Sequence, residues 1–249
     1  QWTDYYYMIQ ALKKGETFDA ARDGISMSTQ FLARPLNHND YAKLKNIFSC
    51  NNKLLHETYL EKMKFLFQNN GCPEEIAALR LTIESCVKDS PLKQEILKLY
   101  TQYQTLSKGQ SAPLSSLKDT NGKNYTFADF RGKVVIVDVW ATWCAPCKAE
   151  IPHVAALHEE FKNDDRIVFI SISVDTRAKV WKKMVEEKNL AWQQFIVEGG
   201  TNSFFYKQYA IEFIPRFMLI DKNGIIVEVD YMKPSVLGCA NHIKSILDK

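Results

Sequence analysis

The chain has 249 residues, with 32 basic and 29 acidic side chains and a formal net charge of +3. That balance gives no electrostatic case for nucleic acid, nor for adhesion to an anionic membrane. No uninterrupted apolar run approaches the roughly 18 residues needed to cross a bilayer, and no charged-then-apolar leader opens the chain, so it reads as soluble as written. An opening without Met is compatible with a processed product.

From residue 1 to about 106 the apolar residues recur at helical spacing. Ile76, Leu79, Ile83 and Val87 form one stripe, and Leu92, Ile96, Leu99, Tyr103 and Leu106 another. Pro73 and Pro91 sit where helices begin, and Leu54 to Phe67 reads as a further helix. The aromatic run Tyr5-Tyr6-Tyr7 reads as helix packing. The expectation is an all-α N-terminal domain over 1–106. Its cysteines then obey helix geometry. Cys72 and Cys86 flank one helix about 21 Å long, far beyond the roughly 7 Å Cα limit of a disulfide, so only Cys50 and Cys86 could bridge.

Residues 107–113, SKGQSAP, read as a small-residue linker. Beyond them, over 114–249, β-branched runs alternate with helical ones. Strands are expected at Val134 to Val139, Ile167 to Val174, Phe217 to Ile220 and Ile225 to Val229, with helices from Cys144 to about Phe161 and around Ala178 to Glu187. Alternation implies parallel pairing, and the tight Asn223-Gly224 turn implies a closing antiparallel hairpin. The sum is a mixed sheet with helices on it.

Cys144 and Cys147, in ATWCAPCKAE, admit three readings: a redox centre, half of a zinc site, or two incidental thiols. The pair follows a buried-looking strand and starts a helix. Free N–H groups and the positive end of the helix dipole there favour a thiolate on Cys144, pulling its pKa from about 8.5 into roughly the 6–7.5 range. Cys147, about one turn on, can attack a mixed disulfide formed on Cys144. The redox reading therefore needs an exposed first cysteine and a sheltered second. Zinc needs two more ligands, and His153, His158, Cys239 and His242 complete no second pair at the usual spacing. The histidines read as helix-surface residues and Cys239 as a buried thiol. Asp138 is a carboxylate inside an apolar strand, a costly placement usually kept for proton handling.

The stretch VDVWATWCAPCKAEIP, Val137 to Pro152, resembles the active-site segment of thioredoxins, with Asp138, Trp140, Trp143, Pro146, Lys148 and Pro152 at matching positions. YAIEFIPRFMLI, Tyr209 to Ile220, resembles the family strand whose cis proline faces the dithiol, so Pro215 matches that proline and Ile214 the residue that pairs with an extended substrate. The segment Ser111 to Val137 looks like an N-terminal β-hairpin, and with an enlarged part between Val174 and Tyr209 it points to the TlpA/ResA-like branch.

The resemblance implies an α/β thioredoxin-like fold over residues from about 110 to 249, a central mixed β-sheet flanked by helices, behind the all-α domain. It further implies a thiol-disulfide oxidoreductase that reduces protein disulfides, with Cys144 attacking, Cys147 resolving and Asp138 as the base. Trp143, Pro146, Ile214 and Pro215 would bind substrate. No cofactor beyond the Cys144–Cys147 disulfide and no metal is implied. The partners would be proteins bearing disulfides or thiols and a membrane electron donor, in the periplasm or cell envelope, with any tether lying in a segment absent from this chain. Three positions depart from the pattern: Ser171 stands where thioredoxins have a lysine near the buried aspartate, Met232 where a glycine lines the groove, and Arg216 where a small polar residue follows the cis proline. A rival of another class is a binding module in which the helical half recruits a partner. Peroxide reduction needs a different segment, a threonine and cysteine with no resolving cysteine at plus three, which this chain does not supply.

Overall fold

A computed structural model describes residues 38–49, 56, 60 and 79–248. The chain divides into two compact units between Gln104 and Thr105. In the first, α1 (His38–Ser49) packs against α2 (Arg80–Cys86), and α3 spans Pro91–Thr105. His56 and Leu60 are helical, and the rest of the expected Leu54 to Phe67 helix lies outside the described residues, as do Tyr5-Tyr6-Tyr7, Pro73, Cys50 and Cys72. Cys86 is exposed and holds a free thiol. In α3 the buried stripe runs through Lys93, Ile96, Tyr100 and Tyr103 rather than Leu92 and Leu99. The shift has a polar cause: the Lys93 ammonium donates to the carbonyls of Glu84 and Val87, capping α2 at the end where its dipole favours a cation.

The second unit is built on one seven-stranded sheet. Its strands are β1 (Leu117–Asp119), β2 (Asn124–Tyr125), β3 (Val134–Trp140), β4 (Ile167–Ser173), β5 (Gln193–Ile196), β6 (Arg216–Ile220) and β7 (Ile226–Tyr231), in the order β2-β1-β5-β4-β3-β6-β7. β3, β4 and β5 pair in parallel, whereas β1 and β2 on one side and β6 and β7 on the other join antiparallel. This is the mixed sheet with an N-terminal hairpin that the sequence implied. All seven residues of β3 are buried, as suits a central strand covered on both faces. The closing hairpin turns at Gly224, φ +77°, with Asp221 accepting from the N–H groups of Asn223 and Ile225.

Helices α4 (Ala145–Phe161) and α7 (Cys239–Leu247) cover one face, where Val154, Leu157, Phe161 and Ile243 pack on Val134, Ile136, Ile167, Phe169, Phe217 and Leu219. Two further helices, α5 (Ala178–Glu187) and α6 (Phe204–Gln208), lie in the β4–β5 and β5–β6 connections. His158 and His242, expected on helix surfaces, are half-buried instead. His158 sets its ring against Phe169 and Trp192, with centroids 5.8 and 5.9 Å away, and His242 stacks on Tyr231 at 5.6 Å. Aromatic rings of β4, β7 and the residue before β5 thus take up the two imidazoles that helical spacing alone would leave in solvent. His153 is exposed and Cys239 buried, as read.

Residues 109–113 are seated on this unit. Gly109 donates to the Ile226 carbonyl, Ile226 to Gln110, and Ala112 to Gly224, while the Tyr209 hydroxyl donates to Pro113.

Candidate functional site

The chain enters the site from β3 and turns through Ala141–Trp143 into α4. Cys144 is the N-cap: its Sγ accepts from the Cys147 N–H at 3.1 Å, filling one of the donors that a helix start leaves unpaired. Cys144 and Cys147 form a disulfide with Cα atoms 5.3 Å apart. Burial does not separate the two as expected. Cys144 is 5% exposed and Cys147 2%, because Cys144, bonded to its partner, is turned inward beneath its neighbours. Trp143 beside it is 61% exposed, and Pro146 between the cysteines is exposed as well.

From the other side the Ile214 carbonyl oxygen lies 3.7 Å from Cys144 Sγ, and the Ile214–Pro215 peptide is cis. Two expected positions 70 residues apart in sequence thus meet at the disulfide. Trp140 is buried in the core. Asp138 is buried on the sheet face shared with Val134 and Ile136, below α4. Burial lifts its carboxyl to about 7, the Ser171 hydroxyl pulls the other way, and the charge of Glu150 adds to the rise.

The matching family model, described as the AhpC/TSA family, covers residues 108–229. The thiol-disulfide oxidoreductase ResA of Bacillus thuringiensis subsp. konkukian is 30% identical over 129 residues, 52% of this chain and 72% of the relative. Among solved structures, one from Bacteroides vulgatus assigned to the thiol-disulfide oxidoreductases is 34% identical with TM-score 0.53, over 57% of this chain and 98% of that one. The thioredoxin domain of a second oxidoreductase from Bacteroides vulgatus is 28% identical with TM-score 0.51, over the same shares. The chain belongs to the ResA/TlpA-like family of thiol-disulfide oxidoreductases. Its second unit has the thioredoxin-like fold, and its activity is that of an oxidoreductase on thiols and disulfides.

Within this oxidoreductase several buried polar groups escaped the sequence reading. Asp175, just past β4, accepts from the Thr142 N–H at 2.9 Å, the Thr142 hydroxyl at 2.7 Å and the Ser173 hydroxyl at 2.7 Å. It clamps the loop that presents the disulfide to the end of a core strand. Gly200 allows the next connection to cross there: at φ +59°, a Cβ would stand 2.8 Å from the Val174 carbonyl oxygen. Replacing Asp175 with Ala should cost about 2–4 kcal/mol, since three buried donors would lose their acceptor. Urea unfolding checks this, and a change below about 0.5 kcal/mol would show that the clamp carries no load.

Glu150 on α4 accepts from the N–H and hydroxyl of Ser235, tying the loop after β7 to the dithiol helix. Its position three residues past Cys147 was the available signal. Phe213, 63% exposed and next to Ile214, was also missed, because exposure cannot be read from an isolated aromatic.

The departures resolve individually. Ser171 donates to Asp138 Oδ2 at 2.8 Å, so the carboxyl without a lysine has a hydroxyl partner instead. Met232 packs against the core, and Arg216 is buried with its Nε 3.4 Å from Asp230 Oδ1. Among the described residues no group of three or more His, Cys, Asp or Glu could hold a metal, and no helix is long and apolar enough to cross a membrane.

Proposed function

We propose that the protein reduces disulfides of other proteins, with the Cys144 thiolate attacking and Cys147 resolving. The observation that carries this reading is the disulfide at the start of α4, with the Cys147 N–H on Cys144 Sγ and the carboxyl of Asp138 buried below the same helix. In the first step Cys144 Sγ bonds to one sulfur of the target disulfide and the other leaves as thiolate. Asp138 then takes the proton of Cys147, whose sulfur attacks Cys144 Sγ and releases the second target thiol. Two electrons pass to the target and the Cys144–Cys147 disulfide remains.

Trp143, Pro146, Ile214 and Pro215 form the substrate-binding rim, and the Ile214 carbonyl beside Cys144 supports backbone pairing with an extended segment. A membrane electron donor returns the two electrons. The work takes place in the periplasm or cell envelope, a reading supported by membership of the ResA/TlpA-like family. In this reading residues 1–106 act as a separate domain, joined through 107–113 to the redox domain over 114–249.

Pro146 between the cysteines removes a group that would over-stabilise the Cys144 thiolate, so the potential should lie near the thioredoxin value of about −270 mV. Equilibration against glutathione measures it. A value above about −180 mV would reverse the assigned direction of electron flow.

A further inference from the structure

Phe217, Asp138, Ser171 and Gln194 stand in register across β6, β3, β4 and β5. Cross-strand neighbours share a face, so Asp138 and Ser171 are polar members of the layer that Val134, Ile136, Ile167 and Phe169 otherwise make apolar. Ser171 is fully enclosed there. Its hydroxyl has one proton and two lone pairs, and in water nothing would fix which way that proton points. Here something does. The indole N–H of Trp192, a donor with no acceptor capacity, donates to Ser171 Oγ at 2.7 Å. The Ser171 proton cannot point at the indole, and it finds its acceptor in Asp138 Oδ2 at 2.8 Å.

Trp192 is itself held: its ring packs against His158, and its carbonyl accepts from Gln194 Nε2 at 3.3 Å. We propose that Trp192 is a positioning residue whose indole N–H commits the Ser171 hydroxyl to donating its proton to Asp138, and so keeps that buried carboxyl able to ionise. A donated hydrogen bond favours the charged carboxylate and opposes the desolvation that disfavours it. The Trp192–Ser171 pair thereby does with two neutral groups what a nearby cation would do by charge.

The inference rests on Asp138 being the base of the resolving step, and its test is separable from that reading. The buried or half-buried titratable groups on the elements around this face are Glu150, His158 and, once reduced, Cys147 on α4 with Cys144 at its N-cap, Glu228 and Tyr231 on β7, and Cys239 and His242 on α7. They are the same in every variant compared, so differences between variants report the Trp192–Ser171 pair. The Asp138 carboxyl would be titrated in the oxidised full chain by carbon-13 NMR, with Asp138→Asn identifying its resonance. Ser171→Ala should raise the midpoint by about one pH unit. Trp192→Phe should raise it in the same direction by less, and the double variant should match Ser171→Ala alone.

An unmoved midpoint in Trp192→Phe, or a double variant beyond Ser171→Ala, would overturn the proposal. Should the phenylalanine variant not fold, β-(3-benzothienyl)alanine at 192 keeps the ring shape and replaces the N–H by sulfur, and the same shift is expected. The pH profile of resolution, followed by quenching mixed disulfides, should move in step with the midpoint. If the midpoint moves and the rate profile does not, the role of Asp138 as base falls while the positioning by Trp192 stands.

Discussion

Replacing Asp138 with Asn should make the oxidised protein more stable above neutral pH, by up to about 4 kcal/mol, and leave it unchanged near pH 4. The folded carboxyl keeps its proton to about pH 7, whereas an ordinary aspartate loses it near 3.8. Between those values the folded state binds more protons than the unfolded one, so this group's contribution falls as pH rises through that window. Asparagine removes the titration and with it the loss. Comparing denaturant midpoints of the two proteins between pH 4 and 8 isolates this carboxyl from all others. Parallel curves would mean that Asp138 is not desolvated as described. With Asp138 as the proposed base, resolution should slow in the same variant by about 100-fold, with the initial attack spared, since in that reading only Cys147 gives its proton to the carboxylate.

The second large effect divides the two cysteines. Cys147→Ala leaves an attacking thiol with no internal partner, so mixed disulfides with target proteins should accumulate and survive denaturing gels run without reductant. Cys144→Ala should trap none, because the remaining thiol lies one turn into α4, behind the N-cap position. The comparison matters because the oxidised structure buries both sulfurs, so position on the helix, rather than exposure, distinguishes their roles.

What could be read in the sequence was local. The β-branched run of β3, the cysteine at a helix start and the Asn223-Gly224 turn each announce themselves within a few residues, and each stands where expected. The cis proline was legible only by resemblance, as no short-range rule brings Ile214 to Cys144 across 70 positions. β5 was missed because Gln193-Gln194 carries no strand signal. It is a strand through pairing in parallel with β4 and antiparallel with β1, which tertiary context imposes. Likewise Ser171 registered as a missing lysine, whereas register across β3 and β4 makes it the hydrogen-bond donor to Asp138. Asp175 is an ordinary surface carboxylate by sequence, and Glu150 signals only by its place three residues past Cys147. Only folding shows the first clamping Thr142 and the second holding Ser235.

The most direct test of Cys144 as the attacking thiol of a disulfide reductase is insulin reduction in dithiothreitol, followed as turbidity. The protein should accelerate precipitation well beyond dithiothreitol alone, and Cys144→Ala should return the rate to that of dithiothreitol. No acceleration by the unaltered protein, or full acceleration by Cys144→Ala, would contradict the account.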